Sequence, residues 1–254
     1  MIYLIGENGF LGSAIKKCLI KNKIKFKGIN RKNYKKFIGK NCEILINAST
    51  NSSKFISENN FQKDYKLTVN NVIKTIKDFN FNKYVLVSSS EVYQNQSYKN
   101  SKEDCRIDPE FLSNYGLNKI IAEKILKRSV KSWLIIRCGG MIGENLKKNP
   151  IYDLINKKVL RVSLRSKFQF IDTKEVASCI LKLLSKNINN EIFNLSAKKN
   201  ISLLQLVDHF KLKPIILQKK LPILNYDINT DKINDCFNIK NTEYYLYKFL
   251  KTKI

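Results

Sequence analysis

The opening of the chain constrains its fold more than any other stretch. Met1 to Ile5 reads M-I-Y-L-I, a short apolar run suited to a buried strand. It is followed at once by G-E-N-G-F-L-G from Gly6 to Gly12, and then by the helical pattern S-A-I-K-K-C-L-I-K-N. Glycines at Gly6, Gly9 and Gly12 between a strand and a helix let the backbone come close to a pyrophosphate. They also aim the first N–H groups of the helix, at Phe10 and Leu11, toward it. The spacing alone is ordinary; the strand before it and the helix after it give it meaning.

Strand and helix then alternate. Lys25 to Ile29 predicts a second strand, ending at Asn30-Arg31-Lys32. A dinucleotide fold that takes NAD usually has an acid there for the ribose diol, whereas Arg31 and Lys32, following Asn30, suit the extra 2′-phosphate of NADP. NADP is therefore the expected cofactor, with NAD the alternative. Cys42 to Ile46 predicts a third strand, running into N-A-S-T-N-S-S, whose Asn47, Ala48 and Ser49 would line the cofactor cleft. A helix over Asn60 to Phe79 carries Phe61, Tyr65, Val69, Val72, Ile73, Ile76 and Phe79 on one stripe, read as core. Further strands are predicted at Tyr84 to Ser88 and Trp133 to Arg137. The alternation implies an α/β fold with a doubly wound parallel sheet, a Rossmann domain over residues 1–143. Residues 144–254 change character and predict a smaller substrate lobe interleaved with the sheet, with short strands at V-L-R-V-S-L, K-F-Q-F-I-D and E-I-F-N-L.

The chemistry gathers between Lys83 and Lys119. K-Y-V-L-V-S-S-S-E-V-Y is a buried parallel strand that ends in three serines, Ser88, Ser89 and Ser90, at the carboxyl edge of the sheet. Y-G-L-N-K places the phenol of Tyr115 and the ammonium of Lys119 at i and i+4, on one helix face. Hydroxyl, phenol and lysine form a proton-transfer set: the positive charge favours phenolate, and Ser89 can hold the oxygen whose proton moves.

The formal net charge is +26, and only six of the 47 basic residues are arginines. The lysines are spread along the whole chain, which fits solvated faces better than a nucleic-acid stripe; such charge would still steer a phosphate-bearing substrate inward. The six cysteines lack any C-x-x-C spacing and read as reduced core thiols. The single histidine, His209, lies in a helical pattern, so no metal site is expected. No apolar run approaches the ~18 residues needed to span a membrane. With Met1 to Ile5 already a strand, a cytoplasmic protein is expected.

Together these residues resemble the extended short-chain dehydrogenase/reductase family, the NAD(P)-dependent epimerases, dehydratases and reductases of nucleotide sugars. G-E-N-G-F-L-G resembles its N-terminal glycine motif, S-S-S-E-V-Y its serine-rich strand end and Y-G-L-N-K its Y-x-x-x-K. F-Q-F-I-D-T-K-E-V-A and N-E-I-F-N-L-S resemble its C-terminal segments. The resemblance implies Tyr115 as general acid/base, Lys119 lowering its pKa and binding the nicotinamide ribose, Ser89 orienting the sugar oxygen, and Asn71 near the cofactor. It places Ser88 beside the cofactor, and Ser90, Glu91, Arg137 and Gly140 beside the substrate. Two departures narrow the reaction. The Asp-Glu pair of the dehydratases is here Ser90-Glu91, which argues against loss of water. Cys138, Gly139 and Gly140 replace the family's proline and asparagine after Arg137. The expected activity is hydride transfer on a nucleotide-activated sugar, leaning to 4-keto reduction in surface polysaccharide synthesis, by a possible homodimer. An epimerase holding NAD tightly is the alternative, and a non-catalytic dinucleotide- or RNA-binding protein is the reading from a different class.

Overall fold

In the computed structural model, which describes residues 1–253, the chain opens as predicted. Strand β1 (Ile2–Ile5) runs through the glycine loop into helix α1 (Phe10–Lys21), and β2 (Phe26–Ile29) follows. Next come β3 (Asn41–Asn47), α2 (Lys54–Asn59), α3 (Phe61–Asp78), β4 (Asn80–Ser89), α4 (Asn114–Ser129) and β5 (Trp133–Cys138). The remainder is β6 (Gly140–Ile142), α5 (Pro150–Ile155), β7 (Lys167–Phe168), β8 (Phe170–Asp172), α6 (Thr173–Ser185) and β9 (Glu191–Leu195). It closes with β10 (Ile201–Ser202), α7 (Leu203–Phe210), α8 (Asp231–Cys236) and α9 (Thr242–Leu250).

The main sheet has the order β2-β1-β3-β4-β5-β9, and the pairs from β2 to β5 are parallel. Every residue of β1 and of β5 is buried, as expected of strands covered on both faces. Tyr3, Leu45, Val72, Tyr84, Leu126 and Ile135 belong to one apolar cluster that joins the sheet to α3 and α4. Because β2 and β3 lie on opposite sides of β1, the strand order reverses there. In open α/β sheets a ligand crevice forms at the carboxyl ends of the strands at such a reversal.

Two compact units make up the chain. One comprises Met1–Gln94, Glu103–Cys138 and Lys174–Phe193; the other comprises Asn95–Lys102, Gly139–Thr173 and the described residues from Asn194 onward. In the second, the rings of Phe168, Phe170 and Tyr226 stack at 5.5 and 5.3 Å, and the buried Gln169 takes the Ile228 N–H at 2.6 Å while donating to the Ala197 carbonyl at 3.0 Å.

Two sequence expectations change. V-L-R-V-S-L forms no strand: Val159 makes one isolated bridge to Ile215. The segment opposite is bracketed by Pro214 and Pro222, which have no N–H to give a ladder. On α3 the predicted core stripe is only partly core. Val69, Val72 and Phe79 are buried, but Phe61 and Ile73 are exposed, and Asp64, Thr68 and Thr75 are buried instead. That buried polar row is part of the candidate site.

Candidate active site

The glycine loop is a close-packed cradle. Gly6 has φ +85°, and a Cβ there would stand 2.8 Å from the Ala48 carbonyl oxygen. A Cβ at Gly12 would be driven into the Gly6 carbonyl oxygen. Gly9, in an extended conformation, caps α1, and no acidic residue occupies the first turn of that helix. The first N–H groups of α1 thus face the loop with no acid in the helix's own first turn to oppose an anion, an arrangement that favours phosphate. Gly12→Ala is expected to cost about 1–3 kcal/mol of stability through overpacking. It should also weaken NADH binding, and full retention of both in calorimetry and titration would contradict the cradle.

At the carboxyl end of β3, the fully buried Asn47 organises the next layer. Its amide donates to Asn71 Oδ1 at 2.8 Å and to the Tyr84 hydroxyl at 2.7 Å, and its Oδ1 accepts from the Ser49 N–H and hydroxyl at 3.0 and 2.8 Å. Burial pushes the Tyr84 phenol up to about 12, so it stays a neutral hydrogen-bonding group. Asn47, Ser49 and Asn71, expected at the cofactor, are therefore brought together, and Ala48 lies against Gly6.

The acid/base set stands on α4 and the end of β4. Ser113 caps α4 by accepting from the Gly116 N–H at 3.2 Å, which fixes Tyr115 in the first turn. Gly116 lets α4 approach the Ser90–Val92 turn, since a Cβ there would collide with the Glu91 carbonyl. The Tyr115 hydroxyl donates to the Asn51 carbonyl at 3.3 Å. Burial raises its pKa above the ordinary phenol value, and the Glu91 carboxylate adds to this; a hydrogen bond from Ser89 acts in the opposite direction. Lys119 donates to Thr50 Oγ1 at 2.7 Å, with its ammonium 5.3 Å from the Tyr115 ring centroid. Ser89, Tyr115 and Lys119 thus meet at one edge of the sheet. Burial also pushes the neighbouring Cys138 thiol up to about 12, which keeps it neutral.

Beneath this set lies a hub absent from the sequence reading. Asp64 is fully buried and accepts from Asn51 at 2.7 Å, Ser57 at 2.6 Å, Thr68 at 3.0 Å and Asn118 at 2.9 Å. One carboxylate therefore ties the loop after β3 to α2, α3 and α4. The only sequence signal for it is the i, i+4 pair Asp64 and Thr68 on α3.

The remaining expected residues occupy other environments. Glu91 forms an ion pair with Lys54 at 2.6 Å, and Ser90 is buried in the turn. Ser88 is buried and donates to Glu123 at 2.5 Å. Arg137, 3% exposed, gives its Nη2 to Glu123 at 2.7 Å and its Nη1 to the Tyr93 hydroxyl at 2.9 Å. Burial opposes its charge, but Glu123 and Tyr93 more than offset that and hold it protonated. In the second unit, Gly140 packs where a Cβ would stand 2.6 Å from the Gln169 carbonyl. Asn30 and Arg31 follow β2; Asn30 donates to Glu7 at 2.9 Å, and Arg31 is exposed. Among the described residues there is no cluster of three potential metal ligands, and no helix is long and apolar enough to cross a membrane.

A parallel sheet with a glycine cradle at its reversal and a tyrosine–lysine pair beside it defines a dinucleotide-dependent enzyme architecture. The chain belongs to the NAD dependent epimerase/dehydratase family, whose model matches residues 2–196. The cofactor is accordingly a nicotinamide dinucleotide, and the cradle that a Cβ would fill suits its pyrophosphate. No curated protein matches the sequence significantly. Among solved structures, a dTDP-4-dehydrorhamnose reductase from Clostridium acetobutylicum is similar with TM-score 0.78 at 16% identity, covering 99% of this chain and 98% of that one. A UDP-N-acetylglucosamine 4-epimerase from Methanobrevibacter ruminantium has TM-score 0.80 at 18% identity, covering 99% and 96%. UDP-glucose 4-epimerase from Thermotoga maritima, solved with UDP-glucose, has TM-score 0.74 at 15% identity, covering 99% of both chains.

Proposed function

We propose that this protein transfers hydride between a nicotinamide dinucleotide and a nucleotide-activated sugar, acting as a 4-keto-sugar reductase in the cytoplasm, in surface polysaccharide synthesis. The observation that carries this reading is the convergence of Ser89, Tyr115 and Lys119 at the sheet edge that also holds the glycine cradle. The bound nicotinamide supplies the hydride. The Ser89 hydroxyl holds the sugar carbonyl oxygen, and Tyr115 gives that oxygen its proton as it becomes a hydroxyl. The phenol's raised pKa keeps the proton in place at neutral pH until transfer. Lys119 lies close enough to stabilise the phenolate left behind. Elimination of water is disfavoured, because Ser90 stands where a dehydratase would need a carboxylic acid.

A second reading, epimerisation with a retained NAD, uses the same three residues in both directions. Its support is the likeness to the two 4-epimerases. Denaturing freshly purified protein and identifying the released dinucleotide separates the two. A reductase should come away empty and bind added reduced dinucleotide reversibly. Stoichiometric NAD in the supernatant would replace the reductase reading with the epimerase.

A further inference from the structure

Glu7, the second residue of the glycine loop, is 8% exposed and turns its carboxylate toward the end of β2. Its Oε2 accepts from the Lys16 ammonium at 2.7 Å, and its Oε1 from the Asn30 amide at 2.9 Å. The space for it is built into the sequence, because a Cβ on Gly28 of β2 would collide with this carboxylate. Asn30 is the position at which a dinucleotide fold meets the adenosine ribose. A carboxylate is thus one hydrogen bond from the ribose position, delivered by the glycine loop and not by β2.

We propose that Glu7 sets the coenzyme choice of this site, accepting the ribose diol of NAD and disfavouring the 2′-phosphate of NADP. The proposal rests on the dinucleotide-dependent reading given above. Two arguments carry it. A carboxylate offers about four lone-pair directions, and Lys16 and Asn30 occupy one on each oxygen, leaving acceptors for two hydroxyls. A 2′-phosphate instead needs donors, and three at the end of β2 are already committed, which leaves it the exposed side chains of Arg31 and Lys32. The Asn30 side-chain amide goes to Glu7, the Asn30 backbone N–H to Asn33 Oδ1 at 2.8 Å, and the Lys32 N–H to Asn30 Oδ1 at 2.9 Å. The Lys16 ammonium is paired with the carboxylate. The bonds from Lys16 and Asn30 also hold the Glu7 carboxyl below its ordinary pKa, so it is charged throughout the neutral range. Arg31 and Lys32 carry the opposite charge, but both are exposed and screened by solvent and salt, whereas Glu7 is screened less. On this proposal the acid of the glycine loop decides for NAD, where Arg31 and Lys32 alone would favour NADP.

The test is a set of binding isotherms for NADH and NADPH on the full-length protein, cleared of any retained dinucleotide. The wild type should bind NADH about tenfold or more tightly than NADPH, as like-charge juxtaposition requires. Glu7→Gln, which keeps the shape and removes the charge, should shrink that ratio about tenfold, mainly by tightening NADPH. A wild type that binds NADPH as tightly as NADH, or a Glu7→Gln ratio that does not move, would overturn the proposal. If Glu7→Gln does not fold, the wild type decides alone: 5′-ADP must displace NADH at lower concentration than 2′,5′-ADP, and the reverse order overturns the assignment. Binding of neither dinucleotide would overturn the enzyme reading itself and the proposal with it.

Discussion

Tyr115→Phe is expected to lower kcat on a 4-keto nucleotide sugar by roughly 10²–10⁴-fold, the usual worth of a positioned general acid, while leaving NADH affinity unchanged. The substitution removes one oxygen and keeps the ring that lies beside Lys119. Its hydroxyl donates one 3.3 Å bond to the Asn51 carbonyl and takes one from Ser89, so the fold should lose only about 1–3 kcal/mol. A large fall in turnover with intact binding and melting behaviour would isolate the proton transfer. The pH dependence follows from the same group. Burial raises the phenol's pKa, so the acid form is the resting form at neutral pH and is lost only on the alkaline side. Reduction should therefore be flat through neutrality and decline as the phenol ionises, while the reverse oxidation should rise. Tyr115→Phe with unchanged turnover, or a reduction rate that climbs between neutral and alkaline pH, would remove Tyr115 from the mechanism.

Much of this was legible in the sequence because it depends on periodicity and on residues that admit few alternatives. M-I-Y-L-I followed by Gly6, Gly9 and Gly12 allows little except a strand, a close turn and a helix, and the structure has β1, the loop and α1 there. Tyr115 and Lys119 could be paired because a helix fixes what i and i+4 share. What escaped depends on contacts between segments distant in sequence. Asp64 looks like a surface charge on α3 until Asn51, Ser57 and Asn118 arrive from three other segments to donate to it. Phe61 and Ile73 look like core until the buried face of α3 proves partly polar. Glu7 sits inside the glycine motif, where the sequence rule looks for backbone, and the acid for the ribose is sought after β2 instead. Arg137 reads the same whether it faces a ligand or a buried acid.

That last ambiguity yields the second large effect. Arg137→Met should destabilise the protein by roughly 3–5 kcal/mol, because it strands the Glu123 carboxylate in a buried site. Glu123 is 1% exposed, and without the guanidinium it keeps only the Ser88 hydroxyl among the bonds described above. At this chain length the loss corresponds to a fall in Tm of roughly 10 °C. Removing the acid as well is the informative control. The double variant Arg137→Met with Glu123→Leu leaves no uncompensated charge and should recover most of the loss, since a buried pair gains little over apolar packing of similar volume. A substrate-anchoring Arg137 would behave differently: the single variant would keep its Tm and raise KM. Calorimetry on the two variants thus separates a scaffold ion pair from a ligand contact. Because Ser88 and Ser89 are consecutive at the end of β4, it also reports how firmly that strand end is held beside Tyr115.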